Sequence, residues 1–252
     1  MKVLITGATS GIGKATATEF ARHGHHLVLT GRRKDRLEAL CLSLKSEYGI
    51  ETLGLCFDVR DYSACKLALE TLPEFWREPD VLINNAGLAQ GLHRIHEGLL
   101  EDWETMIDTN IKGLLYITRL ISPKMVERRT GHIINVGSIA GQDVYPKGNV
   151  YSATKAAVEA LTKAIRLDLH AYGIRVSQVT PGHVEETEFA KVRFHGDENR
   201  SMIYEDFKPL KSSDVAEAIY FIASRPDYVN VQDIVIMGTQ QAGTNFIDRS
   251  GR

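Results

Sequence analysis

KVLITGATSGIGKATATEFARH, residues 2–23, passes from a short apolar run through a glycine-rich turn into a helical pattern. Lys2 to Thr6 is β-branched and apolar, and Lys14 to His23 has helical periodicity, so the segment reads as strand, tight loop and helix. Glycines at 7, 11 and 13 let the backbone turn sharply, approach a phosphate and pack the helix close to a sheet. The helix N-terminus then faces an anion. This spacing is not the G-x-G-x-x-G of the usual dinucleotide loop, and a plain strand-to-helix turn uses glycines too. The loop by itself leaves both readings open.

Working outward, the same unit recurs. His26 to Gly31 reads as a second buried strand, and Arg32 and Arg33 stand at its end. An NAD site would place an acid there, ~20 residues after the glycines, to bond the ribose 2′-hydroxyl. Guanidinium groups suit a 2′-phosphate instead. The other reading is two solvated arginines opening the next helix, Lys34 to Tyr48, with Asp35 recruited as the acid. Thr52 to Phe57 gives a third strand ending at Asp58-Val59, Asp61 to Leu72 a helix, and Asp80 to Asn84 a fourth strand closing on NNAG, residues 84–87. A helical tract from Leu99 to about Glu127 reads as two helices, the second beginning near Asn110. An asparagine there is costly unless bonded, which leaves two readings open: a backbone bond or kink, or an amide that holds an ordered water.

Gly131 to Gly137 is a fifth strand ending at Ser138, either a turn former or a site residue. A helix from Asn149 to about Tyr172 follows, then a sixth strand, Ile174 to Thr180, closing on Pro181-Gly182. Ser212 to Ser224 is a helix with Ser212 or Ser213 as cap, and Gln232 to Met237 a seventh strand. Strands alternating with helices at this spacing predict an α/β, Rossmann-type, three-layer fold. Its doubly wound, seven-stranded parallel sheet carries helices on both faces and ligand-facing loops at the carboxyl ends of the strands. No repeat or linker divides the chain, so residues 1–252 read as a single domain.

Within NVYSATKAAV, residues 149–158, Tyr151 precedes Lys155 by four, so both project from one helix face about a turn apart. A phenol with a pKa near ~10 exchanges protons near neutrality only if something stabilises its phenolate. A neighbouring ammonium does so: a shift of two to three units needs roughly 3–4 kcal/mol, within reach of a close charge in a partly dry cleft. A solvated surface pair has the same spacing, so the rest of the chain must decide.

From His183 to about Lys211 the pattern loosens, with acids at 185, 186, 188, 197 and 198 among Phe189, Phe194, Tyr204 and Phe207. A long irregular stretch in a compact domain reads as a substrate lid. Within it, Arg193 is a candidate anchor for a substrate carboxylate, since a guanidinium binds one bidentately. The polar tail GTQQAGTNFIDRSGR, residues 238–252, is expected to cover a neighbouring subunit or stay mobile.

The 252 residues are 43% hydrophobic, enough for a buried core, and 30 basic against 32 acidic residues leave a net charge of −2. That balance points to a small-molecule substrate, with neither nucleic acid nor membrane as partner. Cys41, Cys56 and Cys65 lie in apolar periodic segments and read as reduced, mostly buried thiols with no metal spacing. The absence of a leader or spanning segment makes the cytoplasm the expected location.

Taken together these residues resemble the single-domain branch of the short-chain dehydrogenase/reductase family over essentially the whole chain. TGATSGIG is similar to its TGxxxGxG cofactor loop, Asp58-Val59 to its adenine-contacting pair, NNAG to its sheet-stabilising motif and Pro181-Gly182 to the segment along the nicotinamide. The resemblance implies a catalytic tetrad of Asn110, Ser138, Tyr151 and Lys155. It implies NADP held by Gly7, Thr9, Ser10, Gly11, Ile12, Gly13, Arg32, Arg33, Asp58, Val59, Asn85, Ala86, Gly87, Tyr151, Lys155, Pro181, Gly182, Val184 and Thr187, with substrate at Ser138, Tyr151 and Arg193, no metal, and a homo-oligomer, tetramer or dimer. EDWETMIDTN at 101–110, GNVYSATKA at 148–156 and ETEFAKVRFHGDE at 186–198 further resemble the NADP-dependent 3-hydroxy acid dehydrogenases of serine and allo-threonine. The expected reaction is hydride transfer between a nicotinamide and a small hydroxy acid. The alternatives are another NADPH carbonyl reductase, such as a 3-oxoacyl carrier-protein or broad ketone reductase, and a non-catalytic NADPH-sensing protein.

Overall fold

A computed structural model of the chain describes residues 1–197 and 206–250. Its frame is one parallel sheet of seven strands: β1 (Lys2–Ile5), β2 (His26–Gly31), β3 (Thr52–Cys56), β4 (Val81–Asn84), β5 (Gly131–Val136), β6 (Ile174–Pro181) and β7 (Asp233–Ile236). They lie in the order β3-β2-β1-β4-β5-β6-β7. The chain starts in the middle, winds outward to β3, then crosses back past β1 to build the other half. This reversal beside β1 opens a crevice at the carboxyl ends of β1 and β4.

Alternation within the strands sorts the core into two layers. Val3 and Ile5 of β1 and Leu27 and Leu29 of β2 pack with Phe20, Leu37 and Ile219 on one face. Those three residues belong to α1 (Gly11–Arg22), α2 (Lys34–Tyr48) and α8 (Ser212–Ala223) respectively. Leu4 and Val28, one register step away, pack on the other face with Leu69 and Ile117. These come from α3 (Tyr62–Glu70) and α5 (Leu114–Arg128), with α6 (Asn149–Leu169) alongside. A period of two in strands buried on both sides divides one apolar run between two cores.

Polar residues stitch the layers at mid-sheet. Asn84 Nδ2 donates to Asn135 Oδ1 at 2.9 Å and to Thr118 Oγ1 at 3.0 Å, while Asn135 Nδ2 donates to Thr162 Oγ1 at 2.9 Å. Adjacent strands and both α5 and α6 are thereby pinned together. These bonds offset much of the cost of burying the amides, although Asn84 Oδ1 has no hydrogen-bond partner among the described residues.

Three expectations are corrected. The tract after Leu99 is not two separate helices: α4 (Leu100–Ile107) continues into α5 through a π-helical stretch, Asp108–Gly113. The wider turn contains the buried Asn110, whose side-chain amide bonds to Leu88 and Thr154. The cap of α8 is Lys211, ahead of Ser212 and Ser213, because Asp214 reaches back to accept from the Lys211 N–H at 2.7 Å. Cys56 is exposed, since β3 is an edge strand, whereas Cys65 is buried and its thiol pushed up to about 11 by burial first, then by Asp61 and Asp58.

Candidate active site

The carboxyl ends of the strands close around one cavity of about 560 Å3. Every residue expected to hold cofactor or substrate lines it, from Gly7 and the loop to Arg193, and so do Ser138, Tyr151 and Lys155. Asp35, the alternative acid, is not on the wall. Asn110 sits behind it, 2% exposed.

The glycine loop is built for close approach. A Cβ on Gly13 would fall 2.3 Å from the Gly7 oxygen and 2.4 Å from Asn85 Nδ2, so α1 starts against the β1 turn. Gly7 itself has φ +66°, where L side chains are strained. NNAG locks this turn from the next strand: Asn85 Nδ2 donates to the Thr6 and Gly7 carbonyls at 2.9 and 3.1 Å, and Thr6 Oγ1 accepts from the Asn85 and Ala86 N–H groups, both at 3.0 Å. A loop without side-chain bulk, opening a helix inside a deep cleft, fits a dinucleotide pyrophosphate.

At the adenosine end, Arg33 is held by the hydroxyls of Thr9 and Ser10, both accepting from Nη2 at 2.9 Å. Arg32 lies 3.6 Å from the Asp58 carboxylate, which Arg60 also binds at 2.7 Å. The arginine pair thus faces the cavity at the end of β2, as a 2′-phosphate requires.

At the other end, Tyr151 and Lys155 rise one turn apart on α6. Gly141 lets the preceding loop press onto this helix, since a Cβ there would meet the Lys155 carbonyl carbon at 2.6 Å. Lys155 Nζ donates to the Val136 carbonyl at 2.9 Å. Ser138 realises its turn-forming reading by accepting from the Ala140 N–H at 3.2 Å, and still lines the cavity. Asn110 is clamped on both sides: Oδ1 accepts from Leu88 N–H at 2.9 Å, and Nδ2 donates to the Leu88 carbonyl at 2.8 Å and to Thr154 Oγ1 at 3.0 Å. Thr154 in turn donates to the Tyr151 carbonyl at 2.8 Å, so Asn110 fixes the helix that carries the pair.

A family model described as short chain dehydrogenase matches residues 1–198. The chain belongs to the short-chain dehydrogenase family. It is 47% identical over 243 residues to a Salmonella typhi protein named NADP-dependent 3-hydroxy acid dehydrogenase YdfG, covering 96% of both chains. It is 46% identical over 250 residues to sulfoacetaldehyde reductase 2 of Chromohalobacter salexigens, covering 98% of each. Among solved structures, the closed form of a serine dehydrogenase complexed with NADP+ superposes with a TM-score of 0.92 at 45% identity, over 97% of this chain and 98% of that one.

In this dehydrogenase-family chain the irregular segment after β6 lines the cavity beside Tyr151. Glu188 leads into a five-residue helix, α7 (Phe189–Arg193). Phe189 meets the Tyr151 ring edge-on at 5.5 Å. Arg193 is buried, with its guanidinium 5.3, 5.7 and 5.8 Å from the ring centres of Tyr145, Tyr151 and Phe189. Its Nη2 donates to the Tyr145 hydroxyl at 2.6 Å, its Nε is unbonded, and among the described residues no carboxylate pairs with it. Of the expected lid, residues 198–205, including Glu198 and Tyr204, lie outside the described residues.

Tyr145 and the tail were not legible as site residues. Tyr145 sits in an irregular loop with no periodicity to aim it. The tail folds back on its own chain: Gln241 accepts from His183 N–H at 2.9 Å, and Thr244 N–H and Oγ1 bond to Asp143 at 2.8 and 2.7 Å. Thr244, Asn245, Ile247 and Arg249 reach the cavity. Among the described residues no helix is long and apolar enough to cross a membrane, and no three His, Cys, Asp or Glu side chains are grouped to hold a metal.

Burial lowers the Lys155 ammonium from 10.5 to about 8, which leaves it mostly charged at neutral pH. Between those two values the unfolded chain binds the proton more tightly, so this group makes stability rise with pH through that window; below it the full cost, about 3 kcal/mol, stands. Denaturant titrations of wild type and Lys155→Met are therefore expected to diverge by that amount less at pH ~10.5 than at pH ~7. An unchanged difference across the window would show that the ammonium is not desolvated.

Proposed function

We propose that the chain is an NADP-dependent oxidoreductase exchanging a hydride with short 3-hydroxy acids of the serine and allo-threonine type and the matching semialdehydes. The observation that carries the substrate class is Arg193, a buried cation that no carboxylate among the described residues pairs with, caged by aromatic rings beside Tyr151. A buried charge left unpaired is costly, and a carboxylate in the cavity satisfies it.

The glycine loop, Asp58-Val59, Asn85 to Gly87, Pro181-Gly182, Val184 and Thr187 hold the dinucleotide, and Arg32 and Arg33 its 2′-phosphate. When bound, the nicotinamide supplies or accepts the hydride at C4. Tyr151 moves the proton at the substrate oxygen, Ser138 hydrogen-bonds that oxygen, and Lys155 stabilises the phenolate and holds the nicotinamide ribose. Asn110 sets the helix position and seats a water linking Lys155 to solvent. Residues 183–211 act as a lid on a single cofactor-binding domain. Exposed Leu115 and Leu167, on α5 and α6, support a homo-oligomer, and three free thiols support the cytoplasm.

The test is turnover of serine, threonine stereoisomers, 3-hydroxyisobutyrate and short semialdehydes with NADP and NAD. Replacing both Arg32 and Arg33 with glutamine is expected to weaken NADPH by about 10- to 100-fold and NADH by under about twofold, because only one offers a phosphate. Equal weakening would make the arginines structural. The 46% identity to a sulfoacetaldehyde reductase favours a second reading, a sulfonate on Arg193, so isethionate belongs in the panel.

A further inference from the structure

The arginine cluster at the end of β2 contains an acid that the sequence placed elsewhere. Glu188, from the segment after β6, crosses the cleft: Oε2 accepts from Arg33 Nη1 at 2.5 Å and Oε1 from Arg36 Nη1 at 2.7 Å. Burial pushes its carboxyl up, but hydrogen bonds from Arg36, Arg33 and Ser10 outweigh this and hold it down at about 2. Two guanidinium groups and a hydroxyl at the mouth of a glycine loop are donors suited to a phosphate monoester. Here a carboxylate already occupies them.

Arg33 has no idle nitrogen. Nε and Nη2 donate to Thr9 and Ser10, and Nη1 donates to Glu188. The hydroxyl contacts are neutral and orient the fork; Glu188 is its only charged partner among the described residues. A dianionic phosphate arriving at Arg33 meets a like charge on the same donor, and like charges at such range repel. Arg36, on the first turns of α2, keeps Glu188 paired when Nη1 is surrendered.

Resting on the NADP reading above, we propose that Glu188 is a specificity-determining residue, an internal anion that competes with the cofactor's 2′-phosphate for Arg33 and thereby narrows the preference for NADP over NAD. A 2′-hydroxyl leaves the Glu188–Arg33 pair in place, so only the phosphorylated cofactor meets this competition.

Calorimetric titration with adenosine 2′,5′-bisphosphate and with 5′-AMP isolates this end of the cleft from the chemistry. Glu188→Gln is expected to tighten the bisphosphate by about fivefold and to leave 5′-AMP within about twofold, the scale of one partly exposed charge contact. Glu188→Ala should do the same, which excludes a new bond from the glutamine amide. Unchanged or weaker bisphosphate binding in both variants overturns the proposal. Arg33→Ala separates the layers: if it leaves the bisphosphate-to-AMP ratio of the wild type intact, the phosphate is held elsewhere and the proposal fails, whereas a wild-type ratio near one would sink the NADP reading itself.

Discussion

Tyr151→Phe is expected to lower kcat by about 10²–10⁴-fold, the range for removing a positioned acid–base group, while NADPH affinity stays within about twofold. The ring remains to pack against Phe189 and beside Arg193, so the fold and the cavity shape are retained. Only the hydroxyl, with its exchangeable proton, is lost. Steady-state turnover together with NADPH fluorescence titration reads both quantities, and near-normal turnover would remove Tyr151 from the chemistry. A parallel loss of NADPH binding would instead mean that the hydroxyl serves the cofactor.

Arg193→Met carries the second large effect. The methionine stem keeps much of the packing among Tyr145, Tyr151 and Phe189, so the substitution removes charge more than volume. For a 3-hydroxy acid, kcat/KM is expected to fall by about 10²–10³-fold, the cost of stranding a desolvated carboxylate. For the methyl ester, which offers no charge to pair, the change should stay within about threefold. The ratio of acid to ester turnover is therefore the readout. If both substrates lose equally, Arg193 shapes the wall without binding an anion.

How much of this was readable in the chain follows from the range of the forces involved. Strand periodicity and glycine spacing are local, so β1, its loop and α1 could be placed from residues 2–23, and the ends of the other strands followed by the same rule. Tyr151 and Lys155 needed only helical geometry. Asn110 is half-legible: its burial cost is clear, but the choice between a backbone bond or kink and an amide that holds a water depends on Leu88 and Thr154, which lie 22 and 44 residues away. In the sequence Glu188 is one acid among several in a loose segment, because its partners Arg33 and Arg36 are 155 and 152 residues distant. The tail reads as lying away from its own core for the same reason, since nothing in GTQQAGTNFIDRSGR signals that Gln241 meets His183. Cys56 reads as buried but is exposed, because an apolar run does not announce whether its strand ends up at an edge.

The tight seat of α6 against Gly141 has a consequence for how such a chain can change. One residue inserted between Tyr151 and Lys155 would swing one against the other by about 100°, and no rearrangement of neighbours restores a shared face. Other parts of the cavity wall come from irregular stretches around Tyr145, α7 and residues 244–249, where length changes are absorbed at the surface. Insertions and deletions are thus filtered by location. Descendants of a duplicated gene can drift in what they reduce or oxidise while inheriting, unaltered, the means of doing so.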